Sequence, residues 1–186
     1  MRDEAARQLT RGSFITPGPR SCSRSYDEMT KAVNDLDLPV TADHVMILRN
    51  AGPIGGPGMP EWGMLPIPKK LLRQGVRDML RISDARMSGT SYGACILHVA
   101  PEAQIGGPLA AVRNGDRISV DVSRRSIHVD LSDAQIAERI KAYKPPPRNY
   151  PRGYYRLFAR HTRQANEGCD FDFLEGAEGI PEPEIH

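Results

Sequence analysis

The stretch ISVDVSRRSIHVDL, residues 118–131, carries the clearest folding signal in the sequence. Apolar residues alternate with polar ones on both sides of the tetrapeptide at 123–126. Alternation with a period of two gives each strand one apolar face, so the stretch predicts a β-hairpin packed on a core. Ser132 follows and stands three residues before Gln135, the spacing of a helical capping box. A helix is therefore expected directly after the hairpin.

Shorter signals extend outward from this hairpin. Compact apolar runs predict strands, and apolar residues at helical spacing predict helices. We expect further strands at 44–48, 79–83 and 95–99, and helices at 26–33, 68–79 and 154–165. Short strands with few helices favour a β-rich α+β chain with a barrel or a sandwich-like core, and they disfavour a doubly wound sheet.

Composition restricts the class of protein. The chain has 186 residues, of which 39% are hydrophobic and 26% charged, and its formal net charge is +2. These values fit one folded domain, and they give no electrostatic reason to expect nucleic acid or an anionic membrane as partner. The longest apolar runs are far shorter than the roughly 20 residues that a membrane span needs.

The cysteines and the first residues point to a cytoplasmic protein without an export signal. Cys22, Cys95 and Cys169 are widely spaced, which favours reduced thiols over a metal site built by this chain alone. Residues 1–25 contain five arginines and lack the apolar core of a secretory signal. We expect them to form a disordered leader that contributes little to the core.

A loop rich in glycine and proline follows the strand expected at 44–48. Residues 50–61 read NAGPIGGPGMPE, and Glu61 is the only charged residue among them. Glycines let the backbone approach a ligand closely, and one carboxylate on a stiff loop suits Mg²⁺. The alternative is a surface turn with a solvated glutamate.

A second loop, SDARMSGTSYG at residues 83–93, is rich in hydroxyl side chains. It could present a serine oxygen for catalysis, or it could simply hydrogen-bond its own backbone. Residues 89–93 match the GxSxG nucleophile elbow around Ser91, but an elbow needs a helix directly after it, whereas 94–99 predict a strand. His98 is expected to be a packed strand residue.

Four motifs in this order carry a family resemblance: GGPGMPE at 55–61, SDARMSG at 83–89, HVAPEA at 98–103 and GGPLA at 106–110. Together they resemble the dihydroxy-acid and sugar-acid dehydratases, which include phosphogluconate dehydratase. The resemblance covers only the C-terminal domain of that family, a swivelling-type β-barrel flanked by helices. It implies a leader at 1–25, the barrel at 26–146, and a helical tail with a frayed end at 147–186. Residues 166–173 are similar to the tail of the arabinonate- and xylonate-type dehydratases.

The resemblance also implies a reaction, in which a 2,3-dihydroxy acid loses water to give a 2-keto-3-deoxy acid. It assigns the base to the Ser88 alkoxide, a second pocket hydroxyl to Thr90 and one Mg²⁺ ligand to Glu61. The Lewis acid of the family is an iron–sulfur cluster, [2Fe-2S] or [4Fe-4S], whose ligands lie in an N-terminal domain that this chain lacks.

Several expectations follow from this resemblance. Glu61 and Ser88 should meet in one pocket, and the substrate should be a small sugar acid or dihydroxy acid. The full-length protein should form a homodimer or a higher oligomer, whereas this chain alone should fold but be inactive. Two alternatives stay open: a catalytically silent barrel that serves as a structural or binding module, and a small serine hydrolase that uses Ser91.

Overall fold

A six-stranded mixed sheet organises the protein. The structure is a computed structural model that describes residues 31–174 and the backbone of residues 9–15. The strand order is β4-β3-β2-β1-β5-β6. The strands are β1 (Leu9–Ile15), β2 (Val45–Leu48), β3 (Arg81–Ser83), β4 (Cys95–Ile96), β5 (Arg117–Asp121) and β6 (Ser126–Val129).

The sheet has a parallel part and an antiparallel part. Strands β1 to β4 run parallel, with Leu48 of β2 opposite Ser83 of β3. Strand β5 is antiparallel to both β1 and β6. Since parallel strands end at the same edge, the loops that follow β2, β3 and β4 all start from one side of the sheet.

Short helices surround the sheet. The α-helices are α1 (Lys69–Arg73), α2 (Asp133–Ala142) and α3 (Tyr154–His161), and residues 31–34 are also helical. The 3₁₀ segments are Ala103–Ile105, Pro108–Ala111, Ala165–Glu167 and Asp172–Leu174. No helix in the described ranges is long and apolar enough to cross a membrane.

The core lies on both faces of the sheet. Val45 and Ile47 of β2 belong to one buried apolar cluster, whereas Met46 and Leu48 belong to another. Successive side chains of a strand point to opposite faces, so a strand buried along its whole length must be covered on both sides.

The two local predictions are confirmed. Strands β5 and β6 form the expected hairpin, in which Asp121 pairs with Ser126. The capping box forms at the start of α2: the Ser132 Oγ accepts a hydrogen bond from the Gln135 N–H, and the Ser132 N–H donates to the Gln135 side chain.

Two helices are shorter than predicted. The helix expected at 68–79 ends at Arg73, because the chain turns at Gly75, whose φ is +85°. The helix expected at 154–165 ends at His161, because the next residue, Thr162, is extended and pairs with Phe171 in a β-bridge.

The prediction of a disordered leader is wrong for residues 9–15. These residues form β1, which lies between β2 and β5 in the sheet. The sequence of this segment, LTRGSFI, has neither an alternating pattern nor a continuous apolar run, so no local pattern marks it as a strand. Residues 1–8 and 16–25 of the leader, residues 26–30 of the first predicted helix and the predicted frayed end at 175–186 lie outside the described part of the chain.

The barrel stays a prediction. Hydrogen bonding among the described strands leaves β4 and β6 at the two ends of the sheet order. Ile96 of β4 and Ile127 of β6 nevertheless line the same depression, so the two outer strands lie near each other. The division of the chain at residue 146 also stays a prediction.

Candidate active site

Three loops leave the carboxyl ends of the parallel strands, and each carries one of the motifs. The loop after β2 contains the glycine- and proline-rich residues 50–61, and the loop after β3 contains residues 84–93. The loop after β4 leads through residues 97–102 into the first 3₁₀ segment. The topology therefore gathers motifs that are far apart in sequence at one edge.

The buried carboxylate of Asp84 joins these loops. Its Oδ2 accepts hydrogen bonds from the backbone N–H groups of Asn50, at 2.9 Å, and Ala103, at 3.0 Å. Its Oδ1 accepts from the N–H of Ala51 at 3.0 Å. One side chain at the end of β3 thereby fixes the backbone that follows β2 and the backbone that follows β4.

Effects of opposite sign act on the pKa of Asp84, and together they raise it from 3.8 to about 6. Burial is the largest effect and raises the pKa, because a low-dielectric interior disfavours the charged form. The negative charge of Glu102 raises the pKa as well, whereas the three N–H donors lower it.

Glu102 holds the glycine- and proline-rich loop from beneath. Its two carboxylate oxygens accept hydrogen bonds from the N–H groups of Ile54 and Gly55, both at 2.8 Å. The side-chain amide of Gln164 also donates to Glu102, at 2.9 Å, and accepts from the Glu102 N–H at 2.8 Å. The segment after α3 is thereby attached to the same loop.

Close approach explains a glycine of the first loop, Gly52, and a glycine of the last motif, Gly107. A Cβ on Gly52 would lie 2.8 Å from the Glu102 carboxylate, and a Cβ on Gly107 would lie 1.6 Å from the backbone oxygen of Pro101. Neither contact is possible for a larger residue without displacing the buried acid or the loop that bears it.

Glu61 lies on the exposed rim of this assembly. Its side chain is 47% exposed and forms an ion pair with Arg86. The same two loops are joined through the backbone, where the N–H of Gly63 donates to the Arg86 carbonyl at 2.7 Å. Arg86 stands two residues before Ser88, so Glu61 is held against the loop that carries the predicted base.

Ser88 and Thr90 form a pair of neighbouring hydroxyl groups. Their oxygens are 3.0 Å apart, and the Thr90 N–H lies 3.4 Å from the Ser88 Oγ. Ser88 is half-buried and Thr90 is exposed. Among the described residues no histidine or lysine hydrogen-bonds the Ser88 hydroxyl, so the pair has no general base of its own. A common pocket for Glu61 and Ser88 stays a prediction.

Two further sequence expectations have clear outcomes. The residues after Ser91 enter β4 and not a helix, which disfavours a nucleophile elbow. The expectation that His98 packs within a strand is wrong. Strand β4 ends at Ile96, and His98 is exposed with a φ of +55° while its N–H donates to the Ala85 carbonyl.

Metal-binding side chains are sparse in the described ranges, which contain no group of three or more His, Cys, Asp or Glu able to hold an ion. The Cys95 thiol lies 3.3 Å from an Arg81 guanidinium nitrogen, and the Cys169 thiol lies 3.3 Å from the Met59 sulfur. Burial raises the pKa of the Cys169 thiol, which disfavours the thiolate that a cluster needs. Cys22 lies outside the described residues.

Sequence reasoning missed Asp84 and Glu102 as organisers of the site. Both stand inside quoted motifs, in SDA and PEA. Asp84 directly follows β3, whereas Glu102 lies six residues beyond β4 and directly before a 3₁₀ segment. An acid beside a buried strand was the available signal, since such a residue needs hydrogen-bond donors wherever it is buried.

Comparison with known proteins gives the family context. Residues 6–169 match the model of the family described as Dihydroxy-acid/6-phosphogluconate dehydratase C-terminal. The chain is 55% identical over 169 residues to a 6-deoxy-6-sulfo-D-gluconate dehydratase from Pseudomonas putida, covering 91% of this chain and 29% of that protein. It is 50% identical to an L-arabonate dehydratase from Azospirillum brasilense, covering 86% of this chain and 28% of the relative.

A third relative belongs to the other branch of the family. It is a dihydroxy-acid dehydratase from Thermodesulfovibrio yellowstonii, 38% identical, with 82% of this chain and 27% of the relative covered. The chain thus spans less than a third of the length of these relatives. The family match begins at residue 6, so the expectation of a non-homologous leader up to residue 25 is wrong. With most of its length matched, this chain belongs to the dihydroxy-acid/6-phosphogluconate dehydratase family and represents the C-terminal domain of that family.

Proposed function

We propose that this chain is the base-supplying C-terminal part of a hydro-lyase that dehydrates a sugar acid. The observation that carries the proposal is the ion pair between Glu61 and Arg86, which holds the only carboxylate of one motif loop against the loop of Ser88. The Pseudomonas putida and Azospirillum brasilense relatives are named as sugar-acid dehydratases, which supports a sugar-acid substrate over a branched dihydroxy acid.

The proton transfer is assigned to Ser88. As an alkoxide it would take the proton from C2 of the substrate while the C3 hydroxyl leaves with its bonding electrons. The resulting enol then gives the 2-keto-3-deoxy acid. The Thr90 hydroxyl, 3.0 Å away, can donate a hydrogen bond that stabilises the negative oxygen of Ser88.

The residues fit Mg²⁺ only in part. Glu61 is an exposed carboxylate that could give the ion one ligand after exchanging its ion pair with Arg86. When bound, the cation would lower the pKa of a neighbouring hydroxyl group, which is what a serine base requires. Further ligands would have to come from substrate, water or protein outside the described residues.

The described cysteines do not fit an iron–sulfur cluster. Cys95 and Cys169 contact different residues, Arg81 and Met59, and the described residues contain no group of three or more His, Cys, Asp or Glu side chains. We therefore place the cluster that the resemblance implies on protein outside this chain, and we derive no step through it. We also propose, from the resemblance alone, a cytoplasmic enzyme that assembles as a homo-oligomer.

Two contacts fit a second candidate equally well, the catalytically silent module. The Glu61 carboxylate is neutralised by Arg86, and Thr90 is the side chain that hydrogen-bonds Ser88 in the described residues. A domain that retains the fold without catalysis would look the same in these two contacts.

A chimera distinguishes the two candidates. The segment of the Pseudomonas putida relative that matches this chain is replaced by this chain, and dehydration of its sugar acid is measured. We expect an active chimera whose kcat falls by about a hundredfold or more in Ser88→Ala, the range for losing a general base. We expect Glu61→Gln to lower kcat as well.

Ser91→Ala is the matched control, because it removes a hydroxyl from the same loop without touching the proposed base. It should leave activity within about threefold. A folded chimera that is inactive with the native Ser88, or one that is indifferent to Ser88→Ala, would favour the silent module.

A further inference from the structure

We infer that a cavity beside α3 binds a compact oxyanion, such as phosphate, sulfate or the sulfonate or phosphate end of a larger molecule. The cavity has a volume of about 250 Å³. Its lining residues are Arg148, Asn149, Tyr150, Arg156, Ala159 and Arg160. No part of the proposed catalytic site is among them.

Local structure explains why three arginines meet here. Arg156 and Arg160 lie four residues apart on α3, so they share one face of the helix. Arg148 comes from the segment just before that helix and reaches the core, where one of its nitrogens donates to the Asn50 carbonyl at 3.1 Å. The cavity thus lies between a fixed arginine and a helical face that bears two more.

Arg148 has unused hydrogen-bonding capacity. Its Nε and Nη1 atoms are buried and have no partner. Buried N–H groups of a charged side chain are costly to leave without an acceptor. Because these two atoms are closed to solvent, what Arg148 offers an anion in the cavity is the positive charge of its guanidinium group.

The charge of the three arginines is also uncompensated within the described residues, where none of them forms an ion pair. The Arg156 guanidinium donates to the Pro151 carbonyl at 2.6 Å, a neutral partner, and Asn149 and Tyr150 add polar groups to the lining. Guanidinium groups bind the oxygens of phosphate and sulfonate groups by charge-assisted hydrogen bonds, and the cavity has room for such a group with its water.

The test is a titration of the 186-residue chain with inorganic phosphate and with sulfate. Ionic strength is held constant with chloride, and binding is followed by calorimetry and thermal denaturation. We expect saturable binding that weakens by at least about tenfold in Arg160→Gln, the loss typical of a charge-assisted hydrogen bond. Arg160→Lys keeps the charge and should recover part of the affinity.

Arg152→Gln is the matched control, since Arg152 is an exposed arginine of the same segment that does not line the cavity. It should bind phosphate as the native chain does. Circular dichroism establishes that each variant is folded, and Arg156→Gln gives a second removal of charge should Arg160→Gln unfold.

The source of the oxyanion is decided by comparing 6-phosphogluconate, gluconate and phosphate. If 6-phosphogluconate binds more tightly than phosphate and gluconate does not bind, the ligand of the cavity is an oxyanion carried by a sugar acid. Equal binding of both phosphates assigns it to the free ion. The inference is overturned if phosphate is no better than chloride, or if Arg152→Gln and Arg160→Gln weaken binding equally. Because the readout is binding and not turnover, failure here leaves the proposed dehydratase function untouched.

Discussion

At the scale of single residues, the acids that organise the loops are buried, whereas the acid that we propose as a metal ligand is exposed. Asp84 and Glu102 are fully buried and each accepts several N–H hydrogen bonds, whereas Glu61 is exposed and paired with Arg86. Buried carboxylates require donors, and the donors here are the loop backbones themselves. The shape of the rim that presents Glu61 and Ser88 therefore depends on two side chains beneath it.

Asp84 should give the chain a distinctive pH dependence. Its pKa of about 6 in the folded chain lies above its ordinary value of 3.8, so the folded state binds this proton more tightly. The stability from this group is full below pH 4 and is lost as the pH rises past 6, a difference of about 3 kcal/mol. Asp84→Asn should remove that slope, because its side chain carries no proton that titrates in this range.

Urea denaturation between pH 4 and 8 measures this effect as the difference between native and variant free energies of unfolding. Asp130→Asn, which changes an exposed aspartate, is the control and should keep the native slope. Parallel pH profiles for the native chain and Asp84→Asn would contradict the assignment.

The sequence predicts Glu61 and Ser88 as candidate site residues because both lie in recognisable motifs. It did not reach Asp84 as an organiser, since the Asn50 and Ala51 N–H groups that it binds lie more than thirty positions away and only the sheet brings them close. The position of Asp84 beside β3 is a local signal, but the donors that it binds are brought by the assembled loops and have no local pattern.

At the scale of elements, the hairpin and the capping box were predictable because the residues that form each of them are close together in sequence. Strand β1 was not, because its partners β2 and β5 begin at Val45 and Arg117, far along the chain. Strands β3 and β4 have only three and two residues, too few for any period to show their parallel pairing.

The capping box at Ser132 should contribute measurable stability. Ser132→Ala removes the oxygen that accepts from the Gln135 N–H, and we expect a loss of about 1 kcal/mol in the free energy of unfolding. Ser123→Ala is the control: it also removes a serine hydroxyl, but from an exposed hairpin turn where it caps no helix. It should lower the free energy of unfolding by less than about 0.5 kcal/mol. Equal losses in urea denaturation would show that the cap is not stabilising.

Strand β1 should be essential to the sheet. Deleting residues 1–15 would leave β2 and β5 without the strand between them and expose their backbone groups, so we expect the melting temperature to fall by more than about 10 °C. Deleting residues 1–8 removes no described strand and should change the melting temperature much less. Equal melting temperatures for both truncations would contradict the central position of β1.

At the scale of the whole molecule, the parallel half of the sheet explains how motifs spread over some sixty residues form one rim. Loops after β2, β3 and β4 start from the same edge, and Asp84 and Glu102 join them to each other and to the segment after α3. We propose that this rim is the part of the site that the chain would supply, since its relatives are more than three times as long.

The 186-residue chain by itself should show no dehydratase activity. Ser88 can act as a base only if its alkoxide is stabilised, and the described residues offer Thr90 for this purpose and, through Glu61, a single carboxylate for a cation. One carboxylate binds Mg²⁺ weakly, and a transition state in which hydroxide leaves C3 unassisted lacks the several kcal/mol of stabilisation that a Lewis acid commonly supplies.

In the test of this prediction, the chain is incubated with Mg²⁺ and a panel of aldonic acids, and 2-keto-3-deoxy product is assayed. We expect rates equal to the background and to those of Ser88→Ala. Turnover by the native chain that disappears in Ser88→Ala would show instead that these residues complete a site of their own.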